Sequence, residues 1–130
     1  MAGGTGSDEA ADAPLVLAAT DPAQAYGAAL AWPTSVGRPA RAAGALVVLR
    51  GGRPLVWLDR RGHHLVTFPT TAEDTTWADA LASLVKDGRV RSLEVRKVDG
   101  EPVRSDAIVA ASLKRVGFAE GYRGLVLRGA

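Results

Sequence analysis

Apolar residues along this chain fall into short blocks, and their spacing changes near the middle. Leu46-Val47-Val48-Leu49 and Leu55-Val56-Trp57-Leu58 are unbroken apolar runs of strand length. Arg50-Gly51-Gly52-Arg53-Pro54 lies between them, so the pair predicts a β-hairpin that turns on its two glycines, with Pro54 opening the second strand. A further turn, Asp59-Arg60-Arg61-Gly62-His63-His64, leads into Leu65-Val66-Thr67-Phe68, which Pro69 closes. Three strands in a meander is the simplest arrangement. Upstream, Leu15-Val16-Leu17 predicts an added strand. An irregular connector from Tyr26 to Gly37 follows, punctuated by Pro33, Gly37 and Pro39, and should lie against a surface.

From Asp74 the period becomes helical. Trp77, Leu81, Leu84 and Val85 share one face, while Asp79, Lys86 and Asp87 point away. Asp74, Thr75 or Thr76 serves as cap and Gly88 as terminator. Leu93 and Val95 alternate with Glu94 and Arg96, predicting one half-buried strand that reaches Val98 and stops at the turn Asp99-Gly100-Glu101-Pro102. A second helix starts at the cap Ser105 with Asp106 in its first turn, presents Val109, Leu113 and Val116 inward, and ends at Gly117. Leu125-Val126-Leu127 supplies a last strand. Hairpins first and helices later argue for an α+β fold: a curved, mostly antiparallel sheet or partial β-barrel with two short helices. Core packing is expected for both Trp57 and Trp77, and the hairpin and the first helix are expected to share one core. Trp32, beside Pro33, is expected to cover the sheet edge, with base stacking as its other use.

A length of 130 residues, 47% of them hydrophobic, fits one domain with a sizeable core. Residues 1–13 are small, polar and acidic and read as a disordered leader, leaving 14–130 as the single domain. The absence of cysteine excludes disulfides, thiolate metal sites and cysteine nucleophiles. No apolar run approaches the roughly 18 residues of a membrane span, and no signal peptide is evident, so a cytoplasmic location and no membrane partner are expected.

The formal charge of +2 is unevenly placed. Asp8, Glu9, Asp12 and Asp21 precede every Lys and Arg, so the rest of the chain holds 16 bases against 10 acids. Most of those bases are arginine, whose planar fork suits phosphate, and nucleic acid is the first partner to consider. An Arg-for-Lys bias in a composition rich in Ala, Gly and Val is the bland alternative. Neither a Gly-x-x-x-x-Gly-Lys-Ser/Thr nor a Gly-x-Gly-x-x-Gly loop occurs between a strand and a helix, so no nucleotide hydrolysis and no cofactor are expected. His63 and His64 are adjacent and point to opposite sides if extended, which is poor geometry for one metal ion. Asp59 is placed to orient an imidazole, yet the sequence ties no nucleophile to it, and no catalytic residue is assigned. The candidate nucleic-acid contacts are Arg60, Arg61, His63, Arg89 and Arg91, which form one positive patch if they share the solvent face; a solvated basic surface is the other reading. His63 adds a donor expected to titrate near ~6.5.

Several segments carry a resemblance. Asp21-Pro22-Ala23-Gln24-Ala25-Tyr26-Gly27 through Trp32-Pro33, Arg38-Pro39-Ala40-Arg41 through Ala45, Val98-Asp99-Gly100-Glu101-Pro102, Gly117-Phe118 and Tyr122-Arg123-Gly124-Leu125 resemble the extreme C-terminal end of Lhr-type (large helicase-related) superfamily 2 DNA helicases of actinobacteria. The similarity runs from about Leu15 to Arg128. It implies a parent chain whose N-terminal core uses ATP and Mg2+ to translocate on single-stranded DNA. That core is followed by tandem winged-helix modules and a final β-barrel-like module, to which this chain corresponds. Some members are linked to uracil removal, but their glycosylase relatives use a glutamine-containing motif, and Gln24, the only glutamine here, sits in the connector; no glycosylase chemistry is carried over. The resemblance thus implies an accessory domain or fragment, not an enzyme by itself. Its expected partners are single-stranded DNA, the winged-helix modules of the parent, or a second copy. A free-standing small nucleic-acid-binding protein is the alternative.

Overall fold

The computed structural model describes residues 13–129; the predicted leader lies outside them but for Ala13. The chain is α+β, with two helices and nine strands among the described residues. Strands β1 (Leu15–Ala18), β2 (Leu46–Arg50), β3 (Arg53–Leu58) and β4 (His64–Thr67) pair antiparallel in sequence order. Helix α1 (Thr76–Lys86) follows, then β5 (Ser92–Val95), β6 (Lys97–Val98), β7 (Glu101–Pro102), a 3-10 turn (Val103–Ser105), helix α2 (Ala107–Arg115), β8 (Ala119–Glu120) and β9 (Leu125–Arg128). A six-stranded sheet runs β1-β2-β3-β4-β6-β7 and a three-stranded sheet runs β5-β9-β8; only the β4–β6 pair is parallel, and the strands do not close into a barrel.

The unbroken apolar runs of β2 and β3 exist because both faces of their sheet are covered. Register places Val48 opposite Val56 and Leu58 opposite Leu65 on one face, and Val47 opposite Trp57 and Trp57 opposite Val66 on the other. The first face packs with Trp77, Leu81, Leu84 and Val85 of α1, as the helical spacing predicts, and with Val109 and Leu113 of α2. The second face forms a separate cluster of Val47, Leu49, Trp57, Val66 and Phe68. A β-bulge between Val48 and Leu49 sets Pro54 opposite Leu49, a place where a residue without an N–H costs the ladder little.

The hairpin and α1 share one core through Val48, Val56 and Leu58, as expected, but Trp57 lies outside it. Trp57 is buried, but on the opposite face from α1, with its indole N–H donating to the Ala40 carbonyl at 2.9 Å. The connector covers that face: Trp32 stacks on Phe68 with ring centres 6.1 Å apart and on Tyr26 at 5.9 Å. Trp32 therefore lies over the sheet rather than along its edge. The connector is held by Gln24, 1% exposed, whose amide donates to the carbonyls of Ala19 at 2.9 Å and Tyr26 at 3.0 Å. Arg41 adds bonds to the carbonyls of Gln24 and Tyr26.

Three local expectations also change. The single strand over Leu93–Val98 is two strands in different sheets, because the chain turns at Arg96, where the His63 carbonyl accepts the N–H groups of Arg96 at 2.8 Å and Lys97 at 3.0 Å. Glu101 and Pro102 are not turn residues but pair with β6, since Asp99 (φ 53) and Gly100 (φ 86) make a tight two-residue turn of the I′ kind. The cap of α2 is Asp106, which accepts from the Val109 N–H at 3.1 Å; Ser105 instead donates to the Pro102 carbonyl. Helix α1 ends as predicted at Gly88 (φ 78), with Gly88 N–H to Val85 and Arg89 N–H to Leu84.

Replacing Trp57 by Ala is expected to cost about 3–5 kcal/mol in urea unfolding. The loss comes from the connector-covered cluster, so a variant as stable as the parent would show that the connector does not seal that face.

Candidate nucleic-acid interface

The turn Asp59 to His64 is built by one carboxylate and one glycine. Asp59 Oδ1 accepts the N–H groups of His63 at 2.9 Å and His64 at 3.1 Å. Gly62 has φ 76, and a Cβ there would come within 2.9 Å of Leu93 Cδ2, so the turn is docked closely on β5. Arg60 and Arg61 are left exposed on either side of the bend. The Arg60 stem crosses Gly44, where a Cβ would meet Arg60 Cγ at 2.5 Å.

Docking on β5 brings in residues that sequence spacing did not connect to the turn. Glu94 and Arg96 lie on the outward side of β5 and its end, with Arg96 Nη2 2.6 Å and His63 Nε2 3.9 Å from Glu94 Oε1. The hydrogen bond from Arg96, aided by the charges of Arg96, His63 and Arg123, holds the Glu94 carboxyl below its usual range. Burial and the Arg96 guanidinium lower the His63 pKa from its ordinary 6.5, with Arg61 adding to them and Asp59 and Glu94 opposing. His63 thus titrates below the value expected from its residue type. The alternation Glu94-Val95-Arg96 was the signal for this outward pair; nothing in the spacing linked it to Arg123.

The five candidates fall in three places. Arg60, Arg61 and His63 share the turn. Arg89 lines a depression with Leu15, Asp79 and Ser83, between β1 and α1. Arg91 lines another with Lys86, Gly88 and Gly129 at the C-terminal end of α1. Neither depression includes a residue of the turn. The arginines do divide by use. Arg50, Arg53, Arg96, Arg104 and Arg115 pair with acids. Among the described residues Arg60, Arg61, Arg89, Arg91 and Arg123 have no acid within ion-pair distance. No group of three or more His, Asp or Glu among the described residues could hold a metal ion, and no helix there is long and apolar enough to cross a membrane. Gln24 has its amide committed to backbone groups of the connector.

Fold and site together define a small α+β module bearing unpaired arginines and no phosphate-binding loop. Such a module occurs within much longer proteins. The chain is 44% identical over 123 residues to a Mycolicibacterium smegmatis protein named Lhr helicase/probable uracil glycosylase, a match covering 88% of this chain and 8% of that protein. It is 31% identical over 117 residues to the Escherichia coli Lhr helicase/uracil glycosylase, covering 86% of this chain and 8% of the relative. No protein-family model matches. Nearly the whole chain is thus homologous to one short segment of Lhr-type helicases, as the sequence resemblance implied, and it spans about 8% of the length of these relatives.

The lowered His63 pKa has a definite sign in stability. The unfolded chain takes up this proton first as pH falls, so the stability that neutral His63 contributes is complete above about 6.5 and is lost as pH drops through the folded-state value. Urea unfolding between about pH 7 and pH 5 should show the parent losing more stability than His63→Gln. Parallel curves would place His63 in an environment like water.

Proposed function

We propose that this chain acts as a C-terminal accessory domain, or a fragment, of an Lhr-type DNA helicase. Its part in DNA repair is to hold single-stranded DNA by its phosphates, in the cytoplasm, with no ATPase of its own. ATP and Mg2+ belong to the core of the parent protein. The observation that carries the reading is the set of unpaired arginines on the turn, Arg60 and Arg61, presented beside His63 on a bend fixed by Asp59 and Gly62. Two fork-shaped donors on a rigid turn suit phosphate oxygens and leave base identity unread.

A second role, packing on the winged-helix modules of the parent or on another copy, is favoured by a separate feature. Val36, 85% exposed, and Ile108 face one groove whose rim carries Asp99, Glu101 and Asp106. Gly37 lies close against Val66 and Asp99, so Val36 is held outward by an anchored loop.

Fluorescence anisotropy with labelled single-stranded DNA across a salt series tests the first role. The variant carrying Arg60→Ala and Arg61→Ala should lower the log–log salt slope by about 1.4, or about 0.7 per lost phosphate contact. An unchanged slope and affinity would remove the turn from the interface and leave docking as its use. The purified chain should also release no phosphate from ATP, with or without DNA; turnover that persists through repurification and tracks the protein would overturn the non-catalytic reading.

A further inference from the structure

Aromatic side chains in this protein are almost all consumed by its own packing. Trp57 and Trp77 are buried, and each indole N–H donates to a backbone carbonyl. Phe68 and Phe118 are buried. Tyr26 and Trp32 stack together over the connector-covered face, and the Tyr26 hydroxyl donates to the Gly52 carbonyl at 2.8 Å. Tyr122 is the exception. It is 95% exposed and, among the described residues, has neither a hydrogen bond nor a ring contact.

The position is not a loose end. Tyr122 and Arg123 form the tip of the β8–β9 hairpin, closed by the Gly121 N–H donating to the Gly124 carbonyl at 2.7 Å. The Gly121 carbonyl accepts from Arg104 Nη2 at 2.6 Å, which ties the tip to the 3-10 turn. A Cβ at Gly124 would stand 2.1 Å from the Val95 carbonyl oxygen, and one at Gly121 would stand 2.7 Å from Val126 Cγ2. The backbone on both sides of the tip is therefore pressed against the fold, while the turn itself demands neither a tyrosine nor an arginine between its glycines. Contact of Gly124 with Val95 and Arg96 sets the tip beside the cluster of His63, Glu94 and Arg96, and the Arg123 charge acts on the Glu94 carboxyl.

We propose that Tyr122 is a base-stacking platform for single-stranded nucleic acid, with Arg123 engaging the adjoining phosphate. The proposal rests on the nucleic-acid reading above and names the part of the ligand that reading leaves unread. A flat ring on an anchored backbone has few rotamers to lose, and every base offers it a π-face. Duplexes keep those faces stacked inside, so the site selects unpaired strands. The same ring would also fill a pocket on a partner protein, which the test separates.

The full chain is titrated against a fluorescein-labelled oligodeoxythymidine of about 12 nucleotides. Tyr122→Ala should weaken binding about 5- to 100-fold with the salt slope unchanged, since no charge is lost. Its melting temperature should match the parent's, because the side chain packs against nothing. Tyr122→Trp should keep the affinity, and its exposed indole should be quenched as the strand binds. Equal affinity of the parent and Tyr122→Ala overturns the stacking role and leaves the arginine reading standing. A parent chain that does not bind the oligomer overturns both.

Discussion

The carbonyl oxygen of His63 accepts two amide protons, from Arg96 at 2.8 Å and Lys97 at 3.0 Å, and the two sheets part at that fork. Before it the chain runs in β5 beside β9; after it the chain runs in β6 beside β4. One carbonyl has two lone pairs, so both N–H groups are satisfied where neither sheet could take them. From the other side Gly124 closes on the Val95 carbonyl so tightly that no Cβ fits. Helix α1 fills the angle between the sheets, touching β1, β2 and β9. The outward pair Glu94 and Arg96, the turn carrying Arg61 and His63, and the hairpin tip carrying Arg123 meet because of this break.

The larger sheet depends in turn on an irregular cover. A helix satisfies its own backbone as it covers a sheet, whereas the connector has to meet its polar groups one at a time. Gln24 and Arg41 supply that: each reaches backbone carbonyls between Ala19 and Tyr26, and no buried side-chain nitrogen or oxygen among the described residues lacks a partner. A buried amide without such bonds would cost more than its packing returns. The one glutamine of the chain is thereby explained by the fold.

How much of this was legible follows from the range of each interaction. The strands around Leu46–Leu58, the helix on Trp77, Leu81, Leu84 and Val85, and the stop at Gly88 rest on local pattern, and they stand where the pattern put them. Which face Trp57 takes was not legible, since an unbroken apolar run has no period to mark two faces and the cover comes from residues with no regular pattern. The break at Arg96 was hidden because Glu94, Arg96 and Val98 carry no glycine or proline signal; it is made by the carbonyl of a distant turn. Likewise Arg60, Arg61 and His63 are neighbours in sequence and were visible together. Glu94, Arg96 and Arg123 join them only through tertiary contact.

The abundance of arginine invites a compositional explanation, and the hydrogen bonds limit how far it goes. Arg41 donates to carbonyls of Gln24, Tyr26 and Asp21. Arg104 reaches both the Glu120 carboxylate and the Gly121 carbonyl. Arg115 grips both oxygens of Asp79 and the Thr75 carbonyl, joining α2 to the start of α1. Each of these uses several donors in a fixed plane, which the single ammonium of lysine cannot imitate. Arg104 and Arg115 spend their charge on the neighbouring carboxylates of Glu120 and Asp79, so they add little to the outward field. The positive potential then falls to arginines without acids, Arg60, Arg61 and Arg123 around one turn and one hairpin tip, with Arg89 and Arg91 apart from them near α1. A modest net charge therefore coexists with local patches of uncompensated positive charge, because the local field depends on where those charges lie and not on their sum.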